Sequence, residues 1–167
     1  MNQFLLLLLL LPLTTLAQKN TESFGKFINT DGSLIKGTSM VKGYERQIEA
    51  HSLISNSSTN STVLRFAMPI SGATGTLRSF INAKQRLPKA EIVVTYLSTD
   101  RRLLQYKIYM ENIAVEECTD ADGFTTIQLN ATRIGWTYYN DLSRSSTQTI
   151  ASKTGWNAET NTSWTNF

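Results

Sequence analysis

The strongest constraint on this chain is a two-residue alternation of apolar side chains through its centre. Ile92, Val94 and Tyr96 alternate with Val93, Thr95 and Leu97. Both faces of that stretch are apolar, which predicts a strand covered on both sides. Leu104, Tyr106, Ile108 and Met110 then alternate with Gln105, Lys107, Tyr109 and Glu111, the pattern of an antiparallel strand buried on one face. The alternation returns at Ile113 and Val115, at Ile127 and Leu129, and at Ile134, Trp136 and Tyr138. Residues 98–102, with Asp100 at their centre, and Asp120-Ala121-Asp122-Gly123 supply the turns, and bends are expected at Asn112 and at residues 131–133. A helix turns every 3.6 residues and cannot hold such a pattern on one face.

Upstream, residues 24–28 predict a short first strand, followed by the turn residues Asn29-Thr30-Asp31-Gly32. A polar loop over residues 37–47 contains Gly37 and Gly43 and runs into a strand in which Ile48, Ala50, Ser52 and Ile54 are expected to share one face. Residues 55–62, SNSSTNST, read as a polar tip, and residues 63–68 as a strand closed by Pro69. Only residues 76–85 support a helix. There Leu77, Phe80, Ile81 and Ala83 follow helical spacing, Thr74 or Thr76 caps the start, and Pro88 limits extension. About seven strands and one helix predict a mainly β fold, a closed or nearly closed antiparallel β-barrel of two packed sheets with one α-helix.

Residues 1–17 form an apolar run with a small-residue end at Ala17. The run is too short for a spanning helix of about 20 residues, so it reads as a signal peptide cleaved near Ala17, with no stable membrane insertion. Residues 18–167 then form one domain, exported to the periplasm or the extracellular space. The formal charge of +3 without blocks of like charge gives no reason to expect nucleic acid. One cysteine, Cys118, excludes an intrachain disulfide, and its neighbours Glu116, Glu117, Asp120 and Asp122 disfavour a thiolate.

The residues provide no catalytic constellation, no metal site and no cofactor-binding motif. His51 is the only histidine and reads as a polar strand position or a subunit contact. The Asp120 to Gly123 run lacks the further ligands of a calcium loop. Arg78, Lys84 and Arg86 read as a solvated helix face rather than an anion site. Asn56, Asn60, Asn130 and Asn161 each begin an N-x-[ST] triplet, as Ser/Thr-rich β proteins produce by chance. Trp136 and Tyr138 are expected in the core. Trp156 and Trp164 lie in a tail with little apolar support and are candidates for a tail contact, either an interface or a dock onto the barrel.

Several segments in one order resemble the Hcp family, the haemolysin-coregulated ring proteins that stack into the tube of bacterial type VI secretion systems. They are Ile35-Lys36-Gly37-Thr38-Ser39 with Lys42-Gly43-Tyr44 and Gln47-Ile48-Glu49-Ala50, then residues 66–77, YKIYMENIAV at 106–115, IQLNATRIGWTY at 127–138, and Gly155-Trp156-Asn157 with Asn161. Asn157 stands where the family has Asp, and the leader is foreign to tube proteins, which leave the cell through the apparatus itself. The resemblance implies a non-enzymatic structural subunit assembling as a homohexameric ring, with stacked rings and a lumen open to a secreted effector or other secretion components. Gly37, Thr38, Lys42, Gly43, Tyr44 and Arg46 are then the candidate subunit interface, contributing to about 800 Å² per partner. The competing reading is an exported monomeric β-barrel module that binds glycan or protein at the cell surface.

Overall fold

The computed structural model describes residues 20–58, 61–98, 101–141 and 147–167. The leader, Asn60, Thr99 and Asp100 lie outside them. The described residues form β1 (Thr21–Ile28), β2 (Leu34–Ile35), β3 (Ile48–Glu49), β4 (His51–Ser58), β5 (Ser61–Pro69), α1 (Gly72–Ala83), β6 (Arg86–Ser98), β7 (Arg101–Ala121), β8 (Phe124–Tyr139), β9 (Ile150–Asn157) and β10 (Thr162–Ser163).

Every pairing is antiparallel. The main path runs β10-β9-β8-β7-β6-β1-β2, with β5 on β8, β4 on β5 and β3 on β1. The mainly β expectation with one helix holds, and the sheet is an open path with branches. β3 and β4 lie on either side of Ala50, one pairing β1 and the other β5.

Long strands here are products of matched irregularities. β7 and β8 each change the face they bury, and they do so opposite one another. Ile108 and Met110 are buried before Asn112, Ile113 and Val115 after it, while β8 changes from Ile127, Leu129 and Ala131 to Ile134. Asn112 takes a left-handed conformation, φ 51°, which shifts the parity of a strand that would otherwise alternate strictly. Arg86 fastens this point by donating to the Asn112 carbonyl at 2.7 Å, and the Asn112 amide donates to Thr132 Oγ1 at 2.8 Å. The two expected bends are thus changes of facing inside continuous strands.

A similar irregularity overturns one expectation. Ile48 and Ala50 are buried, but Ser52 has φ 52° and the β4–β5 register shifts between His51 and Ile54. Ile54 is left 55% exposed, and Leu53 packs on the core instead. The polar tip is also shorter than expected, because β4 and β5 extend through most of residues 55–62.

The core gathers Phe27, Leu64, Phe66, Leu77, Leu87, Ile92, Ile108 and Ile127. β6 is buried on both faces, as its sequence requires, and Pro88 falls beyond Lys89, where the β1 ladder ends. The helix starts earlier than expected, with Ser71 as N-cap, and ends at Lys84 in the left-handed region. Thr74 accepts from the Ser71 N–H at 3.2 Å and so serves as the reciprocal half of the cap. Ala73, Thr74, Leu77 and Phe80 face inward, whereas Ala83 is exposed. No helix among the described residues is long and apolar enough to cross a membrane.

Candidate functional site

The loop over residues 36–47 is a folded arm. The Gly37 N–H donates to Arg46 O at 2.8 Å, Arg46 N–H to Ser39 O at 2.8 Å, and Ser39 N–H to Gln47 O at 3.1 Å. These bonds draw the two limbs so close that a Cβ on Gly37 would stand 2.3 Å from Gln47 O and 2.5 Å from Ile48 Cα. Only glycine fits there. At the tip, Tyr44 N–H donates to Val41 O at 2.8 Å and Gly43 N–H to Glu45 Oε2 at 2.9 Å. Hydrogen bonds from its own and the Gly43 backbone hold the Glu45 carboxyl below its usual range.

The arm lies on the outer face of the sheet through one aromatic contact. Tyr44 stacks on Phe24 with centroids 4.4 Å apart and planes 17° apart. The Arg102 guanidinium also lies over Phe24, 5.4 Å from its centroid, and pairs with Glu22. Burial in this stack raises the Tyr44 phenol above its ordinary pKa, against the opposing pull of Lys107 and Arg102. Thr38, Met40, Lys42, Gly43, Glu45 and Arg46 remain exposed, Met40 at 90%. The candidate interface residues therefore form one compact projection, in which Gly37 and Tyr44 hold the shape and Thr38, Lys42, Gly43 and Arg46 present the surface.

The tail has more support than its composition indicates. β9 pairs with β8, Trp156 lying opposite Ile134 and Gly155 opposite Gly135. Glu91, Tyr109, Gly135 and Gly155 follow one another in register across β6 to β9, and the two glycines leave a shallow channel. The chain end fills it. A Cβ on Gly155 would meet Trp164 O at 2.2 Å, and one on Gly135 would meet the Phe167 ring at 2.3 Å. Trp164 packs on Phe167 at 4.8 Å, and Phe167 on Tyr109 at 5.2 Å. Lys153 Nζ lies 4.8 Å from the Phe167 centroid and donates to Phe167 O at 2.7 Å. Trp156 thus lies within a paired strand, and Trp164 packs on Phe167 of its own chain while its N–H donates to Gly155 O at 2.9 Å. A glycine inside a strand pattern signals close approach, so Gly135 and Gly155 carried that information, but not what approaches them.

The remaining candidates separate. Arg78 pairs with Asp120 at 3.0 Å, Arg86 binds the Asn112 carbonyl and Lys84 caps the helix, so the three form no anion site. His51 is exposed and sits edge-on to Phe124 at 5.5 Å. Asp122 and Gly123 form the tight β7–β8 turn. Cys118 is half-buried with its thiol pKa raised, chiefly by burial and only secondarily by Asp120. Trp136 packs against the core, whereas Tyr138, expected there, is 40% exposed and tilts against Tyr106 at 5.8 Å. Among the described residues no group of three or more His, Cys, Asp or Glu stands close enough to hold a metal ion.

No protein-family profile and no curated protein matches the chain by sequence. Solved structures do match it. Hcp1 from Salmonella typhimurium superposes with a TM-score of 0.68 at 20% identity, covering 86% of this chain and 99% of that one. The fold is that of the Hcp proteins. Hcp2 from the same organism gives a TM-score of 0.63 at 20% identity over 83% of this chain and 96% of its own. The secreted protein Hcp3 from Pseudomonas aeruginosa gives 0.63 at 16% identity over 78% and 97%. The matched Hcp chains are thus covered almost end to end, and the resemblance read from short motifs extends to the path of the backbone.

Proposed function

We propose that this chain is a non-enzymatic, exported structural subunit that assembles with copies of itself into a ring, resembling the tube component of type VI secretion, with a lumen available to a secreted effector. The observation that carries the reading is the Hcp fold presenting a rigid projection at residues 36–47. Self-assembly needs a surface that keeps its shape when free, since every side chain ordered on binding costs about 0.5–1.5 kcal/mol. The arm meets that need through its own hydrogen bonds and the Tyr44–Phe24 stack. A cyclic ring satisfies such a contact by closure, each copy offering the arm to the next. In this reading β3 and β4, which adjoin at Ala50 and pair with β1 and β5, bring the two sheet edges together into a nearly closed barrel.

The tail favours this over the monomeric glycan- or protein-binding module, because Trp164 is engaged with Phe167 and Gly155 of its own chain. Light scattering coupled to size exclusion on protein lacking residues 1–17 tests the proposal. A hexameric mass that falls to the monomer when residues 38–46 are deleted supports it. A monomer at high concentration removes the ring, and rings that survive the deletion remove the arm as the contact.

A further inference from the structure

The seam between β1 and β4 holds a cavity beside the base of the arm, whose Val41 is one of the lining residues. β3 pairs with β1 only at Phe24↔Glu49 and Gly25↔Ile48, and the last bond is Ala50 N–H to Ser23 O at 2.9 Å. Beyond it the left-handed Ser52 turns β4 away to follow β5. β1 continues along β6 as far as Thr21↔Tyr96. The two strands diverge like the sides of a wedge, and a slot of about 550 Å³ opens between them. This lies within the size range of small-molecule sites. A non-glycine residue held left-handed is strained by about 1–2 kcal/mol, and such strain gathers at ligand sites.

The lining is mixed. Phe24, Val41, Ala50, Leu53, Val94 and Tyr106 supply carbon, and Thr21, Ser23, Ser52 and Gln105 supply neutral polar groups between them. The rim carries Glu22, Glu49 and His51, and neither Lys nor Arg lines the slot. Glu22 is already paired with Arg102, but among the described residues Glu49 has no ion-pair partner. A half-apolar pocket whose lining includes a carboxylate without an ion-pair partner favours a ligand with an apolar body and one positive charge, and disfavours the same body with a negative one.

We propose that the β1–β4 slot binds an organic cation, an aliphatic or aromatic body carrying one protonated amine, with the amine at Glu49 and the body against Leu53, Val94 and Tyr106. Every residue of the site belongs to one chain.

Three probes with one eight-carbon chain test it: octylammonium, octanol and octanoate, each titrated into the purified chain below its aggregation threshold. Amide shifts in the nitrogen–proton spectrum provide the readout. Octylammonium is expected to move the Ser23, Ala50 and Leu53 amides and to bind at least about 10-fold tighter than octanoate, as one favourable charge contact at a partly exposed site allows. Glu49→Gln brings the two within about 3-fold of each other and leaves octanol unchanged. Leu53→Trp fills the slot and removes all three, while unchanged shifts elsewhere show that the fold persists. Equal binding of the three probes by the native chain, shifts centred elsewhere, or a Glu49→Gln variant that keeps the full preference overturns the proposal. So does a concentration-dependent shift of the same amides without a probe, which would assign the slot to a second copy of the chain.

Discussion

Gly37→Ala tests how the arm is held. The new methyl would sit 2.3 Å from Gln47 O and 2.5 Å from both Gln47 C and Ile48 Cα. All three are backbone atoms at the start of β3, so no side chain can rotate to make room. The limbs must part. That forfeits the three bonds joining Gly37, Ser39, Arg46 and Gln47, at about 1 kcal/mol each, and the Tyr44–Phe24 stack, at about 1 kcal/mol. The lower entropy of the unfolded alanine chain returns about 0.4–1 kcal/mol. The expected net loss is about 3 kcal/mol, or about 6–12 °C in melting temperature for a domain of this size. The matched control is Gly75→Ala, where nothing stands within 4 Å of the added methyl. In a helix interior that change should stabilise by about 0.5–1 kcal/mol. Calorimetry on both variants, with amide exchange followed at Ser39 and Arg46, separates the outcomes. If Gly37→Ala melts with the native chain and both amides stay protected, the close approach of the limbs is not what shapes the arm.

Gly135→Ala produces an equally short contact, but with the Phe167 ring rather than with backbone. The chain end should therefore swing away at a cost of about 1–2 kcal/mol, and carboxypeptidase should remove Phe167 faster than from the native chain. The Tyr96 hydroxyl donates to the exposed Asp141 at 2.6 Å, and this bond, with a smaller contribution from burial, pushes its pKa up to about 12. The raised value favours the protonated folded form, so its stabilisation is complete below the ordinary tyrosine pKa near 10 and is lost as pH rises from there towards 12. Ultraviolet titration of Tyr96→Phe should lack one late-ionising phenol, and its stability should fall less steeply over that window. Burial raises the Cys118 thiol, so at pH 8 iodoacetamide should alkylate native protein several-fold more slowly than the denatured chain.

Strand content was legible because alternation is local. Ile92 to Tyr96 and Ile108 to Met110 reveal their burial through spacing alone, and Asp122-Gly123 discloses its turn through the conformations those residues accept. The arm was legible as a loop flanked by glycines, since polar residues in that number cannot fill a core. Legibility stopped wherever one residue changed the parity of a strand. Nothing in the spacing of Ile48, Ala50, Ser52 and Ile54 shows that Ser52 is left-handed and that Ile54 therefore points outward. The same holds for Tyr138, which was expected in the core, and for the tail, whose Ser/Thr-rich composition conceals a paired strand.

The sequence by itself determined the period of the elements, and with it a mainly β chain with one helix. Tertiary structure decided which strand edges meet and how far they stay together. It set the bed of Phe24 and Arg102 beneath the arm, the glycine channel that receives Phe167, and the slot left where β4 leaves β1. The physical reason is range. Side-chain alternation is fixed by backbone geometry over a few residues, whereas register and contact join positions such as Phe24 and Tyr44, or Gly135 and Phe167, whose proximity comes only from folding.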